Sequence, residues 1–340
     1  MNKFLAVVIA VMSLAIPATA FCQDNYPNRP ITIVVGWTAG GGADTMTRLL
    51  ARVSSKELGQ PIVVQNKPGG ASQLAATAVV NAQPDGYTLG LGSASFFLIA
   101  PNIRKLPFDP IRDGVQIVGF YTTHYGLVVS ADAPWKNWNE FKEYAKQNPG
   151  KISYGTAGIG TMQHLVFERM ARKDGIQWVH VPFKGASDTI ASLLGGHINA
   201  AIQGPTDVGP LIQTGKLRML LVLNDQRWEM APDIPQILEV GYDFSSFNVG
   251  SIWGPKGLPE SIRSKLETAM SNAIKSPEFI EGVKKLRQPW FHIGGREYTR
   301  ILTERFEGYK QIVKDLTWKR QLTAYIMLNI RMDIGFVVFA

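Results

Sequence analysis

The feature that most restricts the fold of this chain is a regular alternation of short apolar runs with longer helical patterns. The first unit is the β-branched run Ile31–Val35, followed by a glycine-rich turn at 36–42 and a helical segment at 43–58. A continuous apolar run of β-branched residues is typical of a strand buried on both faces of a parallel sheet. Strand, turn and helix together form the first half of a βαβ unit.

The same alternation continues along most of the chain. Apolar runs predict strands at 61–64, 87–91, 127–130, 152–154, 178–181, 198–202, 217–223 and 248–253. Helical patterns predict helices at 71–82, 138–147, 160–173, 186–194, 207–213, 259–274, 277–286 and 297–316. Such alternation predicts an α/β fold in which each sheet is mostly parallel and carries helices on both faces.

The N-terminus has the pattern of an export signal. Lys3 gives a basic start, residues 4–16 form an apolar run, and small residues at 18–20 fit signal-peptidase cleavage. The run is shorter than the ~20 residues that cross a bilayer, so 1–20 is predicted to be a cleaved signal peptide of a soluble exported protein. Cys22, the single cysteine, is an alternative lipid-attachment site, but Phe21 is larger than the residue such a motif prefers.

Length and charge limit the architecture and the partners. Roughly 300 residues remain after the signal, which is more than one hydrophobic core usually serves, so two lobes are expected. The formal net charge is +8, but lysines and arginines are scattered among acids and form no basic stripe. Nucleic acid is therefore not an expected partner, and the diffuse positive field either favours anions or only aids solubility.

The turn after the first strand, with the sequence WTAGGGAD at 37–44, is the main candidate site. Its glycines allow a sharp turn, and the helix start that follows presents amides and a partial positive charge to an anion. The turn lacks the Gly-Lys-Ser/Thr ending of a P-loop and the G-x-G-x-x-G spacing, which argues against a nucleotide. Two other interpretations stay open: a connecting turn without a ligand, and a capping role for Asp44.

A second glycine turn, at 155–161, also lies between a predicted strand and a predicted helix. Its glycines and the hydroxyls of Thr156 and Thr161 repeat the chemistry of the first turn. Two such turns at the carboxyl ends of their strands are in a position to face each other across a cleft. The pair is better evidence for a binding site than either turn alone.

Metal and catalytic signatures are weak in this sequence. His164 and Glu168 are spaced for one helix face, but no third ligand has suitable spacing, which favours a structural pair over a metal site. The Gly-x-Ser-x-Gly elbow does not occur, and Cys22 lies in the N-terminal segment, an improbable place for a nucleophile. We therefore predict neither an enzyme nor a cofactor.

Seven segments carry a resemblance to a known family. They are ITIVVGWTAGGGAD (31–44), VQNKPGG (64–70), QPDGYTL (83–89), SYGTAGIGTMQHL (153–165), HVPFKG (180–185), GKLR (215–218) and PDIP (232–235). In their order and over nearly the whole mature chain, they resemble the tripartite tricarboxylate transporter receptors. These are also called Bug or TctC-type extracytoplasmic solute receptors.

The resemblance implies a periplasmic binding protein of the two-lobed Venus-flytrap type. Lobe 1 would comprise 26–126 with 248–318 and lobe 2 would comprise 127–247, while the tail at 319–340 exceeds the usual end of the family and is given no function. Such receptors capture a small organic carboxylate between the lobes and deliver it to the membrane subunits of a secondary permease. A monomer is expected.

The resemblance also implies the ligand contacts, since these receptors hold a carboxylate with backbone amides, hydroxyls and ordered waters from loops of both lobes. Carried over by position, the ligand-binding residues are expected to be Thr38, Ala39, Gly40, Gly41, Asp44, Ser93, Ser95, Thr156, Ala157, Gly158, Thr161 and Gln203. Gly204 stands where the family usually has asparagine. The alternative functions are a receptor for a membrane sensor and a periplasmic hydrolase.

Overall fold

The computed structural model describes residues 26–316, in which strands and helices alternate. The strands are β1 (Ile31–Val35), β2 (Ile62–Asn66), β3 (Thr88–Ser93), β4 (Gly114–Thr122), β5 (Gly126–Ser130), β6 (Ser153–Thr156), β7 (Val179–Pro182), β8 (Ala200–Gln203), β9 (Leu217–Val222), β10 (Val249–Pro255) and β11 (Trp290–Gly294). The helices are α1 (Gly42–Leu58), α2 (Gln73–Val80), α3 (Ala94–Leu98), α4 (Ala100–Ile103), α5 (Trp138–Gln147), α6 (Met162–Asp174), α7 (Ala186–Leu194), α8 (Pro205–Gln213), α9 (Glu260–Lys275), α10 (Pro277–Lys285) and α11 (Gly295–Asp315). The predicted signal peptide at 1–20, Cys22 and the tail at 319–340 lie outside the described residues.

The first sheet has the strand order β11–β4–β10–β3–β1–β2. β1 pairs in parallel with both β2 and β3, as the strand–turn–helix pattern predicts. β10 pairs antiparallel with β3 and β4, and β11 pairs antiparallel with β4. Strands β1 to β4 therefore run in one direction, and β10 and β11 run in the other.

The second sheet has the order β7–β6–β8–β5–β9 and is built from the chain between the first sheet's β4 and β10. β6 pairs in parallel with β7 and β8, whereas β5 pairs antiparallel with β8 and β9. Only β5 opposes the other strands. The chain crosses between the sheets at 123–125 and again at 223–248.

Two sheets of this kind, each with helices packed on it, confirm the α/β fold with two lobes. The sheets are mixed, with parallel and antiparallel pairs, because β5 and β10 follow the preceding strand without an intervening helix. β11 follows β10 through α9 and α10 and runs in the same direction as β10. The alternation pattern missed β4, β11, α3 and α4. Glycines at 114 and 119 interrupt the apolar pattern of β4, and a Cβ on Gly119 would lie 2.5 Å from Ile293 Cγ2 of β11. Gly119 thus permits the close pairing of β4 with β11. The same glycine breaks the apolar pattern by which a strand is recognised in the sequence.

The helices that follow the two glycine turns have well-defined ends. Gly59 (φ +67°) ends α1 and Gly175 (φ +69°) ends α6, a left-handed conformation that glycine adopts without a Cβ clash. At the start of α6, Thr161 Oγ1 accepts a hydrogen bond from the amide of His164. The start of α1 follows Gly41, which has no side chain to cap the amides of the first turn.

Apolar packing fixes the helices on the sheets and also joins the lobes. One cluster lies between α1 and α9 on the first sheet and includes the fully buried Leu50 and Met270. A second cluster is continuous from the first lobe into the second, through residues such as Phe97, Leu165 and Phe167. Among the residues described, no helix combines the length and hydropathy required to cross a membrane.

Candidate ligand-binding site

A cavity of about 60 Å³ lies between the lobes, where the carboxyl ends of β1, β3, β4, β6 and β8 converge. Crevices at this edge are the usual ligand positions in α/β sheets. The cavity is lined by Trp37, Thr38, Gly41, Gly42, Ala43, Ser93, Ser95, Tyr121, Thr123, Tyr125, Ala157, Thr161, Gln163, Ala186, Gln203, Asp207, Asn248 and Gln288. Both glycine turns contribute to it, one from each lobe.

Asp44 shapes the first turn from behind the cavity. Its carboxylate accepts hydrogen bonds from the amide of Gly40 (2.9 Å), from Asn66 Nδ2 (2.9 Å) and from Arg48 Nε (2.9 Å). Burial raises the pKa of Asp44, but the hydrogen bonds from Arg48, Gly40 and Asn66 outweigh it and hold the pKa below its usual value. Gly40 adopts the left-handed conformation (φ +80°), which glycine tolerates because it has no Cβ, and this lets the turn fold back onto the carboxylate of Asp44.

A carboxylate of the protein itself occupies the start of α1. Asp207, in the first turn of α8 in the second lobe, accepts a hydrogen bond through Oδ1 from the amide of Gly42, with an N···O distance of 2.6 Å. Burial raises the pKa of Asp207 to about 6, although hydrogen bonds from the amides of Gly42 and Gly204 partly offset this effect. The contact joins the lobes where the sequence predicts the ligand anion.

The second turn is held by bonds within it and across the cleft. Gln163 Oε1 accepts a hydrogen bond from the amide of Ala157 (3.0 Å), and Thr161 Oγ1 donates to the carbonyl of Gly158 (2.9 Å). The first amide of α6, Met162 N, donates to Ser95 Oγ of the opposite lobe (2.9 Å). The start of α6 is therefore capped by a hydroxyl of the first lobe.

Asn248 links the site to the segments that connect the lobes. Its Oδ1 accepts from Ser95 Oγ (3.2 Å) and its Nδ2 donates to the hydroxyl of Tyr125 (2.8 Å). The amide of Tyr125 donates in turn to Asn224 Oδ1 (2.6 Å). Tyr125 and Asn248 lie on the two segments that connect the lobes, so this network fixes the site relative to those segments.

Three buried polar atoms at the cavity have no hydrogen-bond partner within the described part of the protein. They are Thr38 Oγ1, Gln203 Nε2 and Gln288 Oε1. Gln203 is only 1% exposed, and a buried amide without a partner costs free energy. A ligand or ordered water in the cavity would satisfy these groups.

The ionisable groups around the cavity give it an acidic character. Burial raises the pKa of both Tyr121 and Tyr125, and the nearby Asp207 raises both further, so their phenols remain protonated hydrogen-bond donors. Asp207 is the one carboxyl group among the cavity-lining residues at 26–316, and no lysine, arginine or histidine is among them. The cavity can therefore hold a ligand only through neutral donors, backbone amides and this single acid.

The structure brings together seven of the residues expected from the sequence. Those that line the cavity are Thr38, Gly41, Ser93, Ser95, Ala157, Thr161 and Gln203. The other five are not among the lining residues: Ala39, Gly40, Thr156 and Gly158 belong to the two turns, and Asp44 lies behind the first turn. Ser93 also caps α3, since its Oγ accepts from the amide of Phe96.

Sequence reasoning missed several polar lining residues. Tyr121 lies near the end of the missed strand β4, Thr123 and Tyr125 follow that strand, and Gln288 precedes the missed strand β11. For Asp207 a usable signal existed, because an acidic residue in the first turn after Gly204-Pro205 repeats the position of Asp44 in α1.

His164 and Glu168 do not form a metal site with a third residue. The distance from His164 Nε2 to Glu168 Oε1 is 4.0 Å, and Glu168 accepts a hydrogen bond from the hydroxyl of Tyr154. No group of three or more histidine, cysteine or acidic residues is arranged for a metal within 26–316. The pair belongs to a buried network behind the second turn.

A two-lobed α/β fold with a polar cavity between paired glycine turns has the form of a binding protein that holds a small ligand between its lobes. The family model described as "Tripartite tricarboxylate transporter family receptor" matches residues 46–318. The chain belongs to this family, and the resemblance seen in its sequence is confirmed.

Individual relatives agree with this assignment. A "UPF0065 protein in gbd 5′ region" of Cupriavidus necator is 35% identical over 312 residues, covering 92% of this chain and 95% of the relative. A solved periplasmic transporter is 32% identical with a TM-score of 0.82, covering 86% and 98% of the two chains. MatC from Rhodopseudomonas palustris, solved with bound malate, is 25% identical with a TM-score of 0.79, covering 85% and 100%. The predicted periplasmic-binding-protein fold is thereby confirmed.

Proposed function

We propose that this protein is a periplasmic receptor that captures a small organic carboxylate between its lobes and passes it to the membrane subunits of a secondary permease. The observation that carries the proposal is the cavity where the two glycine turns meet, with unpartnered buried polar atoms on the residues that line it. The family supports a receptor role, and the malate bound to MatC supports a carboxylate ligand.

The chemistry of the cavity suits a carboxylate held without an ion pair. Helix starts, hydroxyls and amides donate hydrogen bonds to an anion and need no compensating cation. Gln203 Nε2, Thr38 Oγ1 and the phenol of Tyr121 supply such donors at the cavity. The enclosed position between the two glycine turns suits a compact acid.

Contacts across the cleft support capture by closure. Ser187 Oγ of the second lobe donates to the carbonyl of Ala39 (3.1 Å), and Gln288 Nε2 of the first lobe donates to Thr206 Oγ1 (2.8 Å). The lobes thus close on the cavity, and release of the ligand requires them to part. We propose hinge motion near Gly126 and Asn248, with lobes at 26–126 plus 248–318 and at 127–247.

A hydrolase is not favoured by the geometry. Ser95 Oγ is engaged by Asn248 and by the amide of Met162, and no histidine lies among the lining residues of the described chain to act as its base. We therefore propose a receptor without catalytic activity and without a cofactor. Delivery to a sensor in place of a permease is the alternative partner.

A thermal-shift screen of small carboxylates tests the proposal. A ligand that binds only the folded protein raises the melting temperature by mass action. Gly41→Val should remove the shift, because a Cβ at Gly41 lies 3.4 Å from Ala186 Cβ and 3.8 Å from Asp207 Oδ1, inside the cavity. Gly308→Val is the control, since a Cβ at Gly308 meets nothing within 4 Å. A complete panel without any shift would overturn the proposal.

Two further measurements test the cellular role. Cell fractionation should recover the mature protein, without residues 1–20, from the periplasm. Sedimentation of the purified mature protein should give the mass of a monomer. Loss of ligand uptake on deletion of either the receptor gene or the partner permease genes supports transport. Intact uptake together with loss of a ligand-induced transcriptional response on deletion of the receptor gene supports sensing.

A further inference from the structure

Asp207 reaches from the second lobe to the start of a helix in the first. It lies in the first turn of α8, and its Oδ1 accepts the amide hydrogen of Gly42, the first residue of α1. Two glycines make room for it: a Cβ on Gly42 would lie 3.2 Å from Asp207 Oδ2, and one on Gly204 would lie 3.3 Å from the same atom. The carboxylate is therefore seated between backbone segments of both lobes.

The N-terminus of a helix is a favourable position for a bound anion. The start of the 17-residue helix α1 presents free amides and the positive end of the helix dipole. A ligand carboxylate would take the same amide of Gly42 that Asp207 already occupies at 2.6 Å. In this structure the first amide of α1 is therefore already engaged by a carboxylate of the protein.

The other end of the cavity keeps donors for one ligand carboxylate. The register Gly155 to Ala201 in the parallel pair of β6 and β8 sets Gln203 beside Ala157 at the second turn. Gln203 is 1% exposed and its Nε2 has no partner among the described residues. This buried amide is an independent sign that a polar ligand group belongs there.

The charge balance restricts the opposite end of the ligand. Asp207 has no lysine, arginine or histidine beside it among the cavity-lining residues of the described chain. A second ligand carboxylate near Asp207 would meet a like charge in a poorly hydrated site, whereas an ammonium or hydroxyl group would complement it. Burial raises the pKa of Asp207 to about 6, so the group is mostly ionised at neutral pH and gains from such a partner.

We propose that Asp207 determines ligand specificity by filling the carboxylate position at the start of α1. The cavity then accepts a small acid with one carboxylate, directed at the second turn, and an ammonium or hydroxyl donor directed at Asp207, and it rejects dicarboxylates. This inference rests on the proposed carboxylate-receptor function and names the class of acid that the receptor selects.

Three ligands of equal length test the inference by calorimetry and thermal shift. 4-Aminobutanoate, 4-hydroxybutanoate and succinate share one carboxylate and differ in whether the other end is an ammonium, a hydroxyl or a second carboxylate. The wild-type protein should bind at least one of the first two at least tenfold more tightly than succinate. The same comparison is repeated over the full carboxylate panel, grouped into monocarboxylates, zwitterions and dicarboxylates.

Two variants separate the effect of the negative charge of Asp207 from the effect of its side chain occupying the start of α1. Asp207→Asn keeps an acceptor for the amide of Gly42 and should weaken binding of the ammonium ligand more than binding of the hydroxyl ligand, without gaining succinate. Asp207→Ser empties the position and should gain succinate by at least tenfold. Circular dichroism and denaturant midpoints of both variants, compared with the wild type, verify that each is folded.

Each outcome decides the inference. Dicarboxylate binding by the wild type that equals or exceeds binding of every other class overturns the role of Asp207 and leaves the receptor function intact. Unchanged ligand preference in folded Asp207→Ser does the same. Absence of any carboxylate binding by the wild type and both variants overturns the proposed function and this inference together.

Discussion

His164 and His180 stack face to face behind the second glycine turn, with ring centroids 3.9 Å apart and ring planes inclined by 14°. His180 Nε2 lies 2.7 Å from Thr156 Oγ1, and the amide of Gly160 donates to His164 Nδ1 (3.3 Å). Burial lowers the pKa of both rings, and the charge of His180 would lower that of His164 further. The pair therefore supports the turn as neutral rings.

The histidine pair predicts a loss of stability in acid. The folded pKa lies below the unfolded value of about 6.5, so the unfolded chain binds more protons and the free energy of unfolding falls as pH drops from about 6.5 towards 3. Each ring contributes a slope of at most about 1.4 kcal/mol per pH unit. The raised pKa of Asp207, about 6, acts in the opposite sense between about 4 and 6 and cancels roughly one ring there.

Urea unfolding at a series of pH values measures this effect. We expect a positive slope of unfolding free energy against pH between 5 and 6.5, and a shallower slope in His180→Gln by up to one proton. The comparison of slopes is independent of how much the substitution destabilises the protein at neutral pH. Identical slopes in the two proteins would show that His180 does not carry the effect.

Replacing Asp44 by alanine should destabilise the protein and remove the hydrogen bonds that hold the first glycine turn in place. Asp44 is 3% exposed, and its loss leaves the amide of Gly40 and the side chain of Asn66 without their acceptor. Groups left unpaired in this way cost about 2 to 3 kcal/mol together, while the half-exposed Arg48 adds little. Denaturant unfolding should show this loss for Asp44→Ala, a smaller one for Asp44→Asn, and almost none for the exposed control Asp233→Ala.

A Cβ at Gly185 should prevent closure of the lobes and leave each lobe folded. Gly185 lies in the second lobe at an extended φ of 176°, and a Cβ there would lie 2.1 Å from Thr38 Oγ1 and 2.9 Å from Thr38 N in the first lobe. The clash exists only when the lobes are together. Small-angle scattering of Gly185→Ala with saturating ligand should retain the larger radius of gyration of the open form.

Gly308→Ala is the matched control for that experiment, since its Cβ has free space. The melting temperature of unliganded Gly185→Ala should stay close to that of this control, and its ligand affinity should fall at least tenfold. A Gly185→Ala protein that closes and binds normally would show that the contact with Thr38 is dispensable.

Methionine in place of Gln203 should weaken ligand binding, whereas methionine in place of Gln163 should destabilise the protein. Gln203→Met removes an amide whose Nε2 has no partner in the described structure, so stability should change by less than about 1 kcal/mol while ligand affinity falls at least tenfold. Gln163→Met removes the acceptor for the amide of Ala157 and should destabilise the protein. Unaltered affinity in Gln203→Met would exclude this amide from the ligand site.

The fold could be predicted where local sequence controls local structure. Ile31–Val35, Trp138–Gln147 and Ala186–Leu194 carry the periodicity and end signals of their elements, and the structure has them at the predicted positions. β4 and β11 were missed because their identity depends on antiparallel partners distant in the chain, and because Gly114 and Gly119 break the local pattern.

The sequence by itself determined the α/β class, the two glycine turns and the family, because turns, helix starts and apolar runs are encoded by neighbouring residues. Only the tertiary structure decided which groups share the cavity. Asp207 is 165 positions from Gly42, and no local signal places a carboxylate of one lobe on a helix start of the other. That contact forms between the two lobes, and through it a carboxylate of the protein accepts a hydrogen bond from the first amide of α1.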